Sequence, residues 1–118
     1  MAKGGFYHAG QVCVSVQRVF AHSSIAEDLT QRLADLGSAM KIGDPTHADT
    51  EIGPLINEQE VNRIDQWVQE AIQAGAKVLC GGNRLPNNCY EATVLLNPPK
   101  DCTISKTEVF GPVICVYS

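Results

Sequence analysis

A chain of 118 residues is long enough for one domain with its own core and too short for two. With 44% hydrophobic and 19% charged residues, it falls outside the disordered, collagen-like and low-complexity classes. The formal charge is -4 and the Lys and Arg residues are scattered singly, which argues against nucleic acid as a partner; no apolar run is long enough to span a membrane.

The opening MAKGGFYHAG has one lysine but no apolar stretch, so it does not read as a secretory signal. HAGQVCVSVQR follows, with Cys13 between a Gly-Gln pair and Arg18. Valines 12, 14 and 16 alternate, which suits either a strand with Cys13 on its other face or a loop presenting a nucleophile. Arg18 to His22 reads as a first strand. Ser24 and Glu27 have the spacing of a helix capping box, and Ile25, Leu29, Leu33, Leu36 and Met40 then form an apolar stripe at helical spacing. Gly37 weakens the last turns. GDPTHADTEIGPLIN is a long ordered loop. A second helix starts at Asn57, with Glu60 three residues on, buries Val61, Ile64, Val68, Ala71 and Ile72, and stops at Gly75. Trp67 lies beside that stripe as a packing residue.

Three more strands complete the pattern: AKVLC at 76–80, EATVLL at 91–96 and VICVY at 113–117, with the loop GGNRLPNNC between the first two. AKVLC and VICVY are nearly continuous apolar runs, as expected of strands covered on both faces. The order strand, helix, helix, strand, strand, strand predicts an α/β fold: a mixed, largely parallel sheet flanked by helices, in a single unit over 1–118. Ending directly after an apolar strand is what a fragment would do.

The chemistry-bearing residues are few. Cysteines 13, 80, 89, 102 and 115 form an odd set without a CxxC pair, which speaks against structural zinc and against a secreted disulfide framework. A reduced, cytoplasmic protein is the expectation. Asp44, His47 and Asp49 share one loop and read as a polar surface rather than a metal site. Taken alone, Cys13 is more often a buried core residue than a nucleophile, and a catalytic role needs a group that stabilises its thiolate. Generic phosphate-loop, dinucleotide and zinc-protease motifs are absent.

Four segments together change that balance. GQVCVSVQR resembles the active-site segment of the NAD(P)-dependent aldehyde dehydrogenase superfamily, here with Gly10, Gln11, Cys13 and Arg18. KIGDPTHADTEIGPLIN, AGAKVLCGG and EVFGPV resemble further family segments, in family order and spacing, over nearly the whole chain. The resemblance implies that Cys13 is the nucleophile, forming a thiohemiacetal and then a thioester, with its own backbone N–H helping to hold the oxyanion. It implies that Glu108 binds the hydroxyls of the nicotinamide ribose and that Phe110 lies against the nicotinamide ring. Without it, Glu108 reads as a helix-end charge and Phe110 as a core aromatic. Gln11 and Arg18 support the loop. Partners of the intact enzyme would be an aldehyde, NAD or NADP, and further copies of the chain in a homo-oligomer.

Family members are much longer than this chain. The resemblance therefore implies a partial catalytic domain, with the dinucleotide-binding domain, its general base, an oxyanion-hole asparagine and the C-terminal remainder absent. Such a fragment is expected to be inactive alone, to bind no cofactor tightly, and to self-associate through VICVY as an uncovered edge strand. Two other readings stay open: a non-catalytic binding module of the same ancestry, and a free-standing thiol hydrolase using Cys13 with His8.

Overall fold

VICVY is the centre of the sheet. In the computed structural model, which describes residues 1–118, this strand lies between two others and all five of its residues are buried. The strands are β1 (Arg18–Phe20), β2 (Lys77–Cys80), β3 (Thr93–Leu96) and β4 (Val113–Tyr117), in the spatial order β1-β4-β3-β2. β4 runs parallel to both neighbours, pairing Val19 with Val116 on one side and Leu95 with Cys115 on the other. β2 pairs antiparallel to β3, with a register shift between Val78 and Cys80. The sheet is mixed and largely parallel.

Alternation along β4 sorts the helices between its faces. Ile114 meets the first helix, α1 (Ala2–Phe6): a methyl group added at Gly5 would lie 2.4 Å from Ile114 Cδ1. Tyr117, on the other face, donates its hydroxyl proton to Ser105 Oγ at 2.8 Å in the short helix α4 (Thr103–Lys106). Helix α2 (Ser23–Ser38) packs on β2 and β3, while α3 (Glu58–Gln73) packs against α4. Both faces of β4 are therefore covered, and one cluster of 25 buried residues joins the layers.

Several sequence expectations are corrected. VICVY is not an uncovered edge; the edges are β1 and β2. β2 is only partly buried, with Lys77 exposed, because an edge strand has a neighbour on one side alone. β1 ends at Phe20, and His22 instead caps α2, its Nδ1 accepting from the Ser24 N–H at 3.2 Å. The Ser24–Glu27 capping box is not formed, since α2 begins two residues earlier than that pattern requires. β3 starts at Thr93 rather than Glu91.

The buried face of α2 also differs. It consists of Ala26, Thr30, Leu33, Ala34 and Gly37, whereas Ile25 and Leu36 are 55% and 57% exposed. Close approach explains the choice of small residues. A methyl group at Gly37 would meet Phe6 at 3.2 Å, the Cys80 sulfur at 3.4 Å and Ala92 at 3.5 Å. Met40 lies beyond the helix end and is half-buried. α3 matches its pattern better: Asn57 Oδ1 accepts from the Glu60 N–H at 2.9 Å, and Val61, Ile64, Val68 and Ala71 are buried. Gly75 follows with φ +110, a conformation that ends the helix and that L side chains rarely adopt.

Candidate functional site

The GQVC segment is held from three sides. Chain entry is a left-handed turn, in which His8, Ala9 and Gly10 have φ values of 50, 55 and 69. Gln11 N–H closes the turn on His8 O at 3.1 Å. Left-handed backbone at two non-glycine residues costs about 1–2 kcal/mol each, so the surroundings must hold it there. Gly10 shows how. A Cβ at this residue would lie 1.9 Å from Gly111 O, so the backbones of the GQVC and FGPV segments touch directly.

Gln11 supplies the second attachment. Its amide Nε2 donates to Pro54 O at 3.3 Å and to His8 O at 3.2 Å, and its Oε1 accepts from the Ile56 N–H at 3.0 Å. The GPLI stretch of the long loop is thereby tied to the cysteine segment, the supporting role expected of Gln11. The third attachment is to α1: Val16 N–H donates to Gly4 O at 2.9 Å and the Ser15 hydroxyl to Gly5 O at 3.2 Å. Arg18 reaches Ser105 O at 3.3 Å through Nη1 and so links β1 to α4.

Between these attachments Val12 to Ser15 forms a turn, closed by Ser15 N–H on Val12 O at 3.0 Å, and Cys13 sits on it. Cys13 is exposed, whereas Cys89, Cys102 and Cys115 are buried and Cys80 is half-buried. Burial pushes the Cys80, Cys89 and Cys102 thiols up, and takes Cys115 up to about 12, because a thiolate loses hydration there. The backbone N–H of Cys13 makes no backbone hydrogen bond within the chain. The strand alternative for Cys13 is ruled out by the turn.

An open cleft of about 1040 Å³ lies beside this turn, with Tyr7, His8, Gln11, Val12, Pro54 and Phe110 among its walls. Phe110 is 40% exposed and has φ 52, so it is not a core aromatic. Cys13 and Glu108 are not among the lining residues, and both are exposed. None of the ion pairs of the chain uses the Glu108 carboxylate. The His8 ring lies 5.2 Å from that of Tyr7, and no hydrogen bond joins it to Cys13.

Two residues at this site gave no sequence signal. Gln17, its amide oriented by its partners, accepts from the Val109 N–H at 2.7 Å and the Phe110 N–H at 3.0 Å. Arg63 donates to Val109 O at 2.7 Å, pairs with Glu60 at 2.6 Å and lies 4.5 Å over the Trp67 ring. In the loop that carries Asp44, His47 and Asp49, the acidic side chains take local partners. Asp44 accepts from the Thr46 N–H and hydroxyl at 2.8 and 2.7 Å, which holds its carboxyl below the usual value, and Asp49 pairs with Lys41 at 2.6 Å. No helix of the chain is long and apolar enough to cross a membrane.

The family model described as aldehyde dehydrogenase family matches residues 1–118. The chain is 36% identical over 116 residues to 3-sulfolactaldehyde dehydrogenase of Priestia aryabhattai, and 41% identical over 111 residues to aspartate-semialdehyde dehydrogenase 1 of Pseudomonas canavaninivorans. These matches cover 98% and 94% of this chain but 24% and 23% of the relatives. Among solved structures, aldehyde dehydrogenase 21 from Physcomitrella patens, in complex with the reaction product succinate, superposes with a TM-score of 0.92 at 36% identity. An aldehyde dehydrogenase of Mycobacterium tuberculosis complexed with NAD+ superposes at 0.91 with 29% identity; these two cover 98% of this chain and 24% and 25% of their own. The chain thus spans about a quarter of the length of the proteins it matches, and it belongs to the aldehyde dehydrogenase family.

Proposed function

We propose that this chain is the cysteine-bearing part of an NAD(P)-dependent aldehyde dehydrogenase, with Cys13 as its nucleophile. One observation carries the reading. Cys13 is the exposed cysteine, on a turn whose N–H is free, beside a cleft walled by Phe110. The Cys13 thiolate adds to the aldehyde carbon, forming the C–S bond of a thiohemiacetal while the carbonyl π electrons move to oxygen. The free Cys13 N–H is placed to donate to that oxyanion.

Residues of the chain also suit a nicotinamide cofactor. The Phe110 ring is accessible at the cleft, and the Glu108 carboxylate is exposed and unpaired, free to accept from the two hydroxyls of a ribose. A bound nicotinamide supplies a two-electron acceptor for the hydride that leaves the thiohemiacetal carbon. Cys13 then holds the acyl group as a thioester until water or another acceptor displaces it. The NAD+ complex of the Mycobacterium tuberculosis relative supports this assignment at the level of the family.

The activity belongs to a longer assembly in this reading, which includes a dinucleotide-binding domain and association into a homo-oligomer. Positioning of the reactants lowers such a barrier by about 7–11 kcal/mol, and Glu108 and Phe110 alone cannot provide it. The isolated chain should therefore produce no NADH from aldehydes with NAD, nor NADPH with NADP. Aldehyde-dependent NADH formation by the 118-residue protein, abolished by Cys13→Ala, would refute that part. Limiting iodoacetamide followed by peptide mapping tests the nucleophile: Cys13 should be alkylated first, and labelling led by Cys80 or Cys89 would count against it.

A further inference from the structure

The peptide unit between Val109 and Phe110 is gripped from both ends of its dipole. Its N–H donates to the Gln17 side chain at 3.0 Å, and its C=O accepts from Arg63 Nη2 at 2.7 Å. The Gln17 oxygen also takes the preceding N–H, that of buried Val109, at 2.7 Å, and neither N–H has a backbone acceptor. Turning this peptide over would change ψ at Val109 and φ at Phe110 together, so fixing its plane fixes which backbone region Phe110 occupies. Phe110 has φ 52, a region that an aromatic residue enters only when its surroundings hold it there.

We propose that Gln17 and Arg63 are positioning residues that clamp this peptide and hold Phe110 in the left-handed conformation that presents its ring to the cleft. The functional meaning rests on the reading of Phe110 as a cofactor contact. Gln17 is well placed for such a coupling. It lies four residues after Cys13, and its own backbone O accepts from the Cys115 N–H at 2.8 Å in the central strand. Arg63 is held in turn by Glu60 and by the Trp67 ring, so its guanidinium reaches Val109 O from a fixed position. The cysteine loop, helix α3 and the FGPV turn thus meet at one peptide bond.

Amide hydrogen exchange on the ¹⁵N-labelled chain tests this, using Gln17→Met, which keeps length but has no oxygen acceptor, and Gln17→Glu, which keeps one. In Gln17→Met, exchange at Val109 and Phe110 should quicken about tenfold, the factor that one hydrogen bond is worth. The Cys115 and Asn97 amides, bonded at 2.8 Å to Gln17 O and Val116 O, should be unchanged. Gln17→Glu should stay within about twofold of the parent chain. Unchanged exchange in Gln17→Met overturns the clamp, as does equal loss in both variants or equal quickening at Cys115 and Asn97. A parallel titration to millimolar nicotinamide mononucleotide, weak binding being all that this chain alone is expected to show, should shift the Phe110 signals in the parent chain and less so in Gln17→Met. Absence of any such shift in the parent chain, with the exchange pattern as expected, sinks the cofactor reading and leaves the clamp standing.

Discussion

Gly10 is where the cysteine segment and the FGPV turn meet backbone to backbone, and its replacement by alanine has two separable costs. The first is conformational: φ is +69, and an L side chain there costs about 1–2 kcal/mol. The second is steric. The new methyl carbon would stand 1.9 Å from Gly111 O and 2.4 Å from Gly111 C, main-chain atoms that have no rotamer to yield with. Such overpacking adds about 1–3 kcal/mol, so the total is about 2–5 kcal/mol, a large part of the stability of a small domain. Two other glycines calibrate the result. Gly75 has φ +110 with nothing within 4 Å of an added methyl, so Gly75→Ala carries strain without a clash and should cost about 1–2 kcal/mol. Gly43 has open space and no positive φ, so Gly43→Ala should be neutral or stabilise by about 0.4–1 kcal/mol. Urea unfolding followed by the fluorescence of Trp67, the one tryptophan, measures all three. If Gly10→Ala came within about 1 kcal/mol of Gly75→Ala, the claimed contact between the two segments would be wrong.

Cys115 makes stability fall in alkali. Its thiol is raised from an ordinary value of 9.0 to about 12, first by burial, against smaller lowering by Tyr117 and Arg18. The folded state therefore keeps a proton that the unfolded chain releases; this contribution is complete below pH 9 and is lost toward pH 12, at up to about 1.4 kcal/mol per pH unit. Cys115→Ala should flatten that decline in urea unfolding between pH 9 and 11, and an unaltered slope would contradict it. Asn57→Ala should cost about 1 kcal/mol by removing the cap on α3, and Asn57→Asp should restore most of it in the same assay.

What the sequence made legible was whatever repeats locally. The α3 stripe and its Asn57 cap depend on residues within one helix, and VICVY is apolar enough to be a strand in any setting. The face of α2 was misread because apolar size points to Ile25 and Leu36, while the sheet needs close approach and so selects Ala26, Ala34 and Gly37. Strand order was illegible for a different reason. The last strand enters between the first and the third, and its partner Arg18 lies 97 residues away (115 − 18) across a parallel pairing. The site divides along the same line. Cys13 and Phe110 stand in recognisable segments, but Gln17 and Arg63 act on a peptide that only the fold brings to them.

Because β4 is central, the cleft and the core are not independent parts of this chain. The FGPV turn leads directly into the most buried strand, and its Gly111 packs on Ile64, where a methyl would meet Cδ1 at 2.2 Å. A shift of that turn large enough to relieve Gly10 would therefore have to move either helix α3 or the first residue of β4. Neither is free: Ile64 and Val113 are both fully buried. Close-packed interiors transmit such displacements rather than absorbing them. The same rigidity that makes Gly10 intolerant of a methyl group fixes the separation of Cys13 from Phe110. On the proposed reading, with Cys13 as nucleophile and Phe110 as a contact of the cofactor, that separation is set before the substrate arrives. The left-handed residues at His8, Ala9 and Phe110 are the local cost of building the site into the core, and the buried strand beneath them is what keeps them there.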